Sequence, residues 1–447
     1  MIDFTLIATV LIGIAVLLIL ILKLRMQAFI ALLISSILVG IIAGMEPNAI
    51  ISTMQEGMGD TLGFVAMVVG LGAMFGAILE HSGGAEALAK FLLHKFGEKR
   101  ASWAMMLTGF FVAIPVFFDV AFIILVPLLY SLQRKTKKSL LIYGVPLLAG
   151  LAVTHAFIPP TPGPVAVADI LKADLGWVIT FGFLAGLPAA IVSGPLFGNY
   201  IAKRIHIDAP VLDEEFSEQT TYPAVGLILS IIGIPILLIV GNTVLNSPLT
   251  QGLQIHETVK SWLQMIGHPF SALIIANLVA WYVLGIKRGV NNTALLKITT
   301  KSMAPAGIII LLTGAGGVFK QMLVNTKTGE MLANYFAEQG VSILLFAFLA
   351  AVLVRFLQGS STVAMITAAG LTAPLMIGNI NDIDKALLVI AIASGASILS
   401  HVNDSGFWLV SKYLGLDEKQ TFRSWTVMTT ILALVGFGAV CLLSLVF

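Results

Sequence analysis

Two apolar runs, about 101–132 and 341–377, constrain this chain more than any other feature. Each is too long for one membrane crossing, since ~20 residues at 1.5 Å apiece span the hydrocarbon core. The interruption in the middle of each run is short: PVFFD at 115–119 in the first, QGSST at 358–362 in the second. Neither is polar enough to form a turn outside the membrane. Each run is therefore expected to be a re-entrant hairpin with its tip at mid-membrane. Non-helical backbone survives at that depth only where protein buries it or where it lines a cavity.

The rest of the chain supports a polytopic α-helical membrane protein. Of its 447 residues 58% are hydrophobic and 11% charged, against about 25% charged in soluble domains. Further apolar windows fall near 4–22, 27–45, 59–80, 139–171 and 176–202, then near 222–245, 265–286, 302–323, 386–413 and 424–447. The N-terminal window lacks a basic lead and is too long for a signal peptide, so it is expected to be a retained first span. No P-loop or basic run is present, so neither ATP hydrolysis nor nucleic-acid binding is expected. The single cysteine, Cys441, provides neither a disulfide nor a thiol metal site.

An acidic linker at 203–221 divides the chain into a first half, 1–202, and a second, 222–447. The halves echo each other. GAMF at 72–75 matches GGVF at 316–319, Val120-Ala121 matches Val363-Ala364, and Thr154-His155 matches Ser400-His401, at offsets of 244, 243 and 246. A slowly drifting offset is what a diverged duplication leaves. With a hairpin and a broken helix in each half, a half crosses five times, so the repeats are expected to be inverted. With both termini outside, 19 of the 25 Lys and Arg fall in inner loops and 5 in outer ones, while Arg355 lies within the membrane. That bias follows the positive-inside rule. The first hairpin then enters from the cytoplasm and the second from the opposite face.

Polar side chains at membrane depth cost roughly 2.5–3.5 kcal/mol each for the charged types, and mark pathways or binding sites. The second half carries SHVNDSGFW at 400–408 within an apolar segment, and the first carries THAFIPPTPG at 154–163. Two breaks in matching halves point to a transporter site. Asp119 has no charged neighbour for over a dozen residues. It is a candidate proton carrier, and an anion capping the second hairpin arm is the plainer account. His155 and His401 could carry protons or face substrate hydroxyls, or be satisfied by carbonyls. With no third ligand at a useful spacing, metal is not expected. Thr161, Ser400, Asn403 and Asp404 could contact a polyhydroxylated ligand or simply cap half-helices. Ser360, Ser361 and Thr362, with the free N–H groups behind them, suit a carboxylate. Arg355 could pair with a substrate carboxylate, neutralise Asp119 or Asp404, or snorkel.

GLGAMFG at 70–76, THAFIPPTPGP at 154–164, QGSSTVAMITAAG at 358–370 and SHVNDSGFWL at 400–409 resemble the gluconate permease family of gluconate:proton symporters. The resemblance covers essentially the whole chain. It implies a bacterial inner-membrane symporter for gluconate or a related sugar acid such as fructuronate. It also implies no cofactor, a homodimeric scaffold, hairpins meeting at mid-membrane and elevator-like movement. Relatives within that family carry D-serine, and His401 leans away from that branch. A passive anion channel would need a continuous polar path rather than polar groups gathered at mid-membrane. A membrane hydrolase would need a nucleophile motif that the sequence lacks.

Overall fold

The computed structural model describes residues 23–210, 222–246, 256–326, 342–376, 380–402 and 404–447, with Thr9 and residues 12–13, 15–17 and 19–20 before them. Most of the expected first span, linker residues 211–221 and Asn403 lie outside the described residues. No strand occurs among the described residues. The first half contains α1 (Ala28–Ile42), α2 (Pro47–His81), α3 (Gly84–Phe96), α4 (Ala101–Val112), α5 (Phe118–Thr136), α6 (Leu141–Phe157), α7 (Pro162–Leu171) and α8 (Leu175–Ala202). The second contains α9 (Val225–Asn246), α10 (Glu257–Gly267), α11 (Pro269–Arg288), α12 (Asn292–Asn325), α13 (Ile343–Gln358), α14 (Ser361–Thr372), α15 (Asp382–Ser397), α16 (Ser405–Leu414) and α17 (Glu418–Leu443). Among the described residues, seven stretches are long and apolar enough to cross a membrane: α2, α6 with α7, α8, α9, α11, α12 and α17. The chain is an all-helical, multi-pass membrane protein.

Both long apolar runs are helix–turn–helix units. The first turns between Val112 and Phe118, the second between Gln358 and Ser361. The second turn needs a residue that tolerates a left-handed backbone, and Gly359 supplies it at φ +90°. Breaks also occur where the polar clusters predict them, after Phe157 and after Ser397. Two features differ from the expectation. The third span starts at Pro47 rather than near 59 and runs 35 residues, because its polar first turns continue the helix beyond the apolar window. The helices α3 and α10 fall where loops were expected. Each is amphipathic rather than uniformly apolar, so a search for apolar windows passes over it.

Small residues set the packing. The long helices α2 and α12 lie so close that a methyl on Gly57 would stand 2.7 Å from the Gly317 carbonyl oxygen. Asn325 Nδ2 donates to Thr53 Oγ1 at 2.9 Å across the same pair. Glycine stripes of this kind let membrane helices approach closely. In each half the first hairpin arm lies against the helix that leads into the break. A methyl on Gly150 of α6 would reach within 2.2 Å of the Met106 carbonyl of α4, and one on Gly395 of α15 within 2.3 Å of the Phe348 carbonyl of α13. The second arms cross to the other half. Tyr130 of α5 donates to the Tyr413 carbonyl of α16, and Gly163 of α7 abuts Met365 of α14. Hairpin tips and helix breaks of both halves are thereby brought to one place.

Candidate functional site

The second tip is ordered by its own backbone and side chains. The N–H of Gly359 donates to the Arg355 carbonyl at 2.9 Å, closing α13. Ser360 caps α14, its hydroxyl accepting from the Val363 N–H at 3.4 Å, and its own N–H donates to Gln358 Oε1 at 3.0 Å. Ser361 and Thr362 follow in the first turn, where N–H groups have no intrahelical partner. At the second break Asp404 caps α16, accepting from the Gly406 N–H at 3.0 Å. At the first break a cis Pro159–Pro160 bond precedes Thr161, whose hydroxyl donates to the Ile158 carbonyl at 2.6 Å.

Between these elements lies a cavity of about 580 Å³. The first residues of three helices line it: Phe118, Asp119 and Val120 of α5, Ser361 and Thr362 of α14, and Ser405 and Gly406 of α16. Helix N-termini carry partial positive charge and unpaired N–H groups, so three of them around one space favour an anion. Opposite them, Ala152, His155 and Ala156 come from the end of α6, and Trp425, Thr429 and Leu432 from α17. The volume lies within the range of small-molecule sites, about 300–1,000 Å³.

Charge in the cavity is arranged asymmetrically. Arg355, 4% exposed, donates from Nη2 to Asp404 Oδ2 at 2.5 Å and from Nη1 to the Gly359 carbonyl. The same Asp404 oxygen accepts from the Ser400 hydroxyl. Ser400 in turn accepts from Trp425 Nε1 at 2.6 Å, and its carbonyl accepts from the Thr426 hydroxyl at 2.5 Å. Asp119 lines the same cavity and forms no ion pair or hydrogen bond among the described residues. His155 Nδ1 is buried without a hydrogen-bond partner, and its ring lies 6.3 Å from that of Phe117 and 6.5 Å from that of Phe118.

Of the residues singled out in the sequence, Asp119, His155, Arg355, Ser360, Ser361, Thr362 and Asp404 line this one cavity. Ser400 lies directly behind Asp404, 1% exposed. Thr161 turns instead toward a small separate space with Phe117 and Pro160. His401 points away: its Nε2 pairs with the Phe356 carbonyl at 2.9 Å and its ring lies 5.2 Å from that of Phe356. Asn403 lies outside the described residues. Gln358, Phe118, Trp425 and Thr429 also contribute to the wall and were not anticipated. Gln358 sits at the tip itself and could have been found there. Trp425 and Thr429, one turn apart in an ordinary span, give no signal in the sequence.

The family profile described as GntP family permease matches residues 5–446. Gluconate permease of Pseudomonas aeruginosa is 39% identical, covering 99% of this chain and 98% of the relative. Low-affinity gluconate transporter of Escherichia coli K12 is 40% identical, covering 98% and 97%. The Gnt-II system L-idonate transporter of the same organism is 36% identical, covering 95% of each. The crystal structure of the Alcanivorax borkumensis YdaH transporter shares the fold, with a TM-score of 0.61 over 90% of each chain at 15% identity. With a profile match from residue 5 to residue 446 and full-length relatives near 40% identity, the chain belongs to the GntP permease family.

Proposed function

We propose that this permease is a secondary active transporter of the bacterial inner membrane that couples uptake of gluconate, or a closely related sugar acid, to protons. The cavity carries this reading, because donors for a carboxylate and an unpaired carboxyl group face the same space. The relatives named for gluconate and L-idonate transport support the substrate class. In this reading the substrate carboxylate rests on Ser360, Ser361, Thr362 and the first N–H groups of α14. Its hydroxyl chain extends toward His155, with Asp404 and the cap of α16 at its side. Asp119 takes up the coupling proton, since it faces the cavity and no cation among the described residues holds it in the charged form.

The same proposal includes two inverted repeats, both termini on the periplasmic side, and assembly as a homodimer. Matching elements in the two halves support the repeats: α4–α5 with α13–α14, α6–α7 with α15–α16, and α8 with α17. Uptake competition tests the substrate class. Unlabelled gluconate, L-idonate and fructuronate are expected to displace labelled gluconate, while sorbitol and D-serine leave uptake unchanged. Displacement by sorbitol as strong as by gluconate would refute carboxylate recognition, and displacement by D-serine alone would refute the sugar-acid reading.

A further inference from the structure

Among the described residues, Arg355 is the one cation lining the cavity, and a substrate carboxylate is its obvious partner on charge alone. Its surroundings assign it differently. Arg355 is 4% exposed, one amino group is committed to the Gly359 carbonyl and the other to Asp404 Oδ2. Nε is buried with no partner, so a ligand cannot take the fork along its Nε edge, and each amino group keeps only one further N–H beside its committed one. Asp404 is engaged on every side as well, by Arg355, the Ser400 hydroxyl and the Gly406 N–H. The contacts form a continuous path from the turn of the second hairpin, through the second break, to Trp425 and Thr426 of α17. The first half has no counterpart. At the repeat offsets of 243 and 246, Val112 stands for Arg355 and Ile158 for Asp404. There the hydroxyl equivalent to Ser400, that of Thr154, donates to the Phe110 carbonyl at 2.8 Å instead.

We propose that Arg355 and Asp404 form a clasp that locks the second hairpin tip to the second helix break. Arg355 then acts as a positioning residue that aims the first turn of α14 into the cavity. The substrate carboxylate is left to that helix terminus. The first tip, which has no clasp and carries the unpaired Asp119, is free to respond to the proton. The inference rests on the substrate site proposed above, so its test uses one readout that needs no substrate. In a Cys441→Ser background, Ser361→Cys reports the tip through its rate of reaction with a water-soluble maleimide. Removing either partner of a buried pair leaves the other uncompensated. Arg355→Gln and Asp404→Asn are each expected to speed labelling by about tenfold, and the double variant no more than either alone, as expected of coupled neighbours. Labelling at the unaltered rate in both single variants would overturn the clasp. Where Arg355→Gln does not accumulate, Asp404→Asn carries the labelling test alone, and unaltered labelling there would overturn the clasp equally. Calorimetry with gluconate, on protein retaining Ser361, supplies the second arm. Both single variants are expected to weaken binding by about tenfold or more without multiplying in the double. Tighter gluconate binding by Asp404→Asn would show that the released arginine holds the carboxylate, and would refute the assignment. Failure of the unaltered protein to bind gluconate would instead count against the proposed substrate, leaving the labelling result to judge the clasp.

Discussion

Asp119 and Asp404 face one cavity under opposite conditions: Arg355 stands 2.5 Å from Asp404, whereas Asp119 has no ion pair among the described residues. Asp119 also lies in the first turn of α5, where the helix terminus tolerates an anion. It can therefore exist in either protonation state without a partner being stranded. Asp119→Asn, which mimics only the protonated form, is expected to abolish proton-driven accumulation of gluconate while leaving exchange of internal for external gluconate. Unchanged accumulation would remove Asp119 from coupling. A charge-assisted hydrogen bond contributes about 1.5–3 kcal/mol, so losing one contact to the carboxylate weakens binding roughly ten- to hundredfold. Ser361→Ala is thus expected to raise KM for gluconate by that factor with normal amounts of protein in the membrane; an unchanged KM would place the carboxylate elsewhere. Residues such as Asp119 and Ser361 were legible because a polar side chain stands out in an apolar run. Their directions were not. His155 and His401 are equivalent in sequence, yet one lines the cavity and the other turns to the Phe356 carbonyl. Pattern matching assigns a residue to a break but not the dihedral angles within it, and Leu399, at φ +48°, belongs to the irregular backbone before His401.

Close backbone contact at glycines joins several of the helices and hairpins, beside a core of buried large side chains. The contact of α4 with α6 tests this, each side presenting a glycine. A methyl on Gly109 would lie 2.3 Å from the Leu147 carbonyl, and one on Gly150 2.2 Å from the Met106 carbonyl. Backbone atoms cannot yield as a flexible side chain does, so added volume must push the helices apart, at a cost of about 1–3 kcal/mol for overpacking. Gly150→Ala is expected to lower the melting temperature of the purified protein and to widen the mouth of the cavity next to Ala152. A variant that melts at the unaltered temperature would show that the contact is looser than the geometry states. Elements of this kind were readable to different degrees. The length of the two apolar runs and the short interruptions within them foretold the helix–turn–helix units. Amphipathic α3 and α10 were missed, because half their surface is polar and no apolar window contains them. Which arm packs on which break was also beyond the sequence, since α5 meets α16 and α7 meets α14 across the two halves.

Across the whole molecule, the distribution of cations and the placement of the hairpins make one topological statement. The first tip, near Phe117, is expected to be buried within the membrane and reached from the cytoplasmic side. Phe117→Cys, in the Cys441→Ser background, should therefore resist impermeant maleimide added to intact cells; rapid labelling from outside would turn the hairpin into two full spans. The two long helices α2 and α12, joined along Gly57 and Gly317, make a frame against which the cavity elements are set. Under the proposed mechanism, a sugar-acid anion enters the cavity together with a proton and leaves on the other side. The most direct measurement of that claim is uptake of labelled gluconate by the purified protein in proteoliposomes with an imposed inward proton gradient. Proton-coupled symport predicts a transient internal concentration above the external one, abolished by a protonophore. Uptake that only equilibrates, at a rate indifferent to the gradient and to the protonophore, would contradict it and identify a passive pathway.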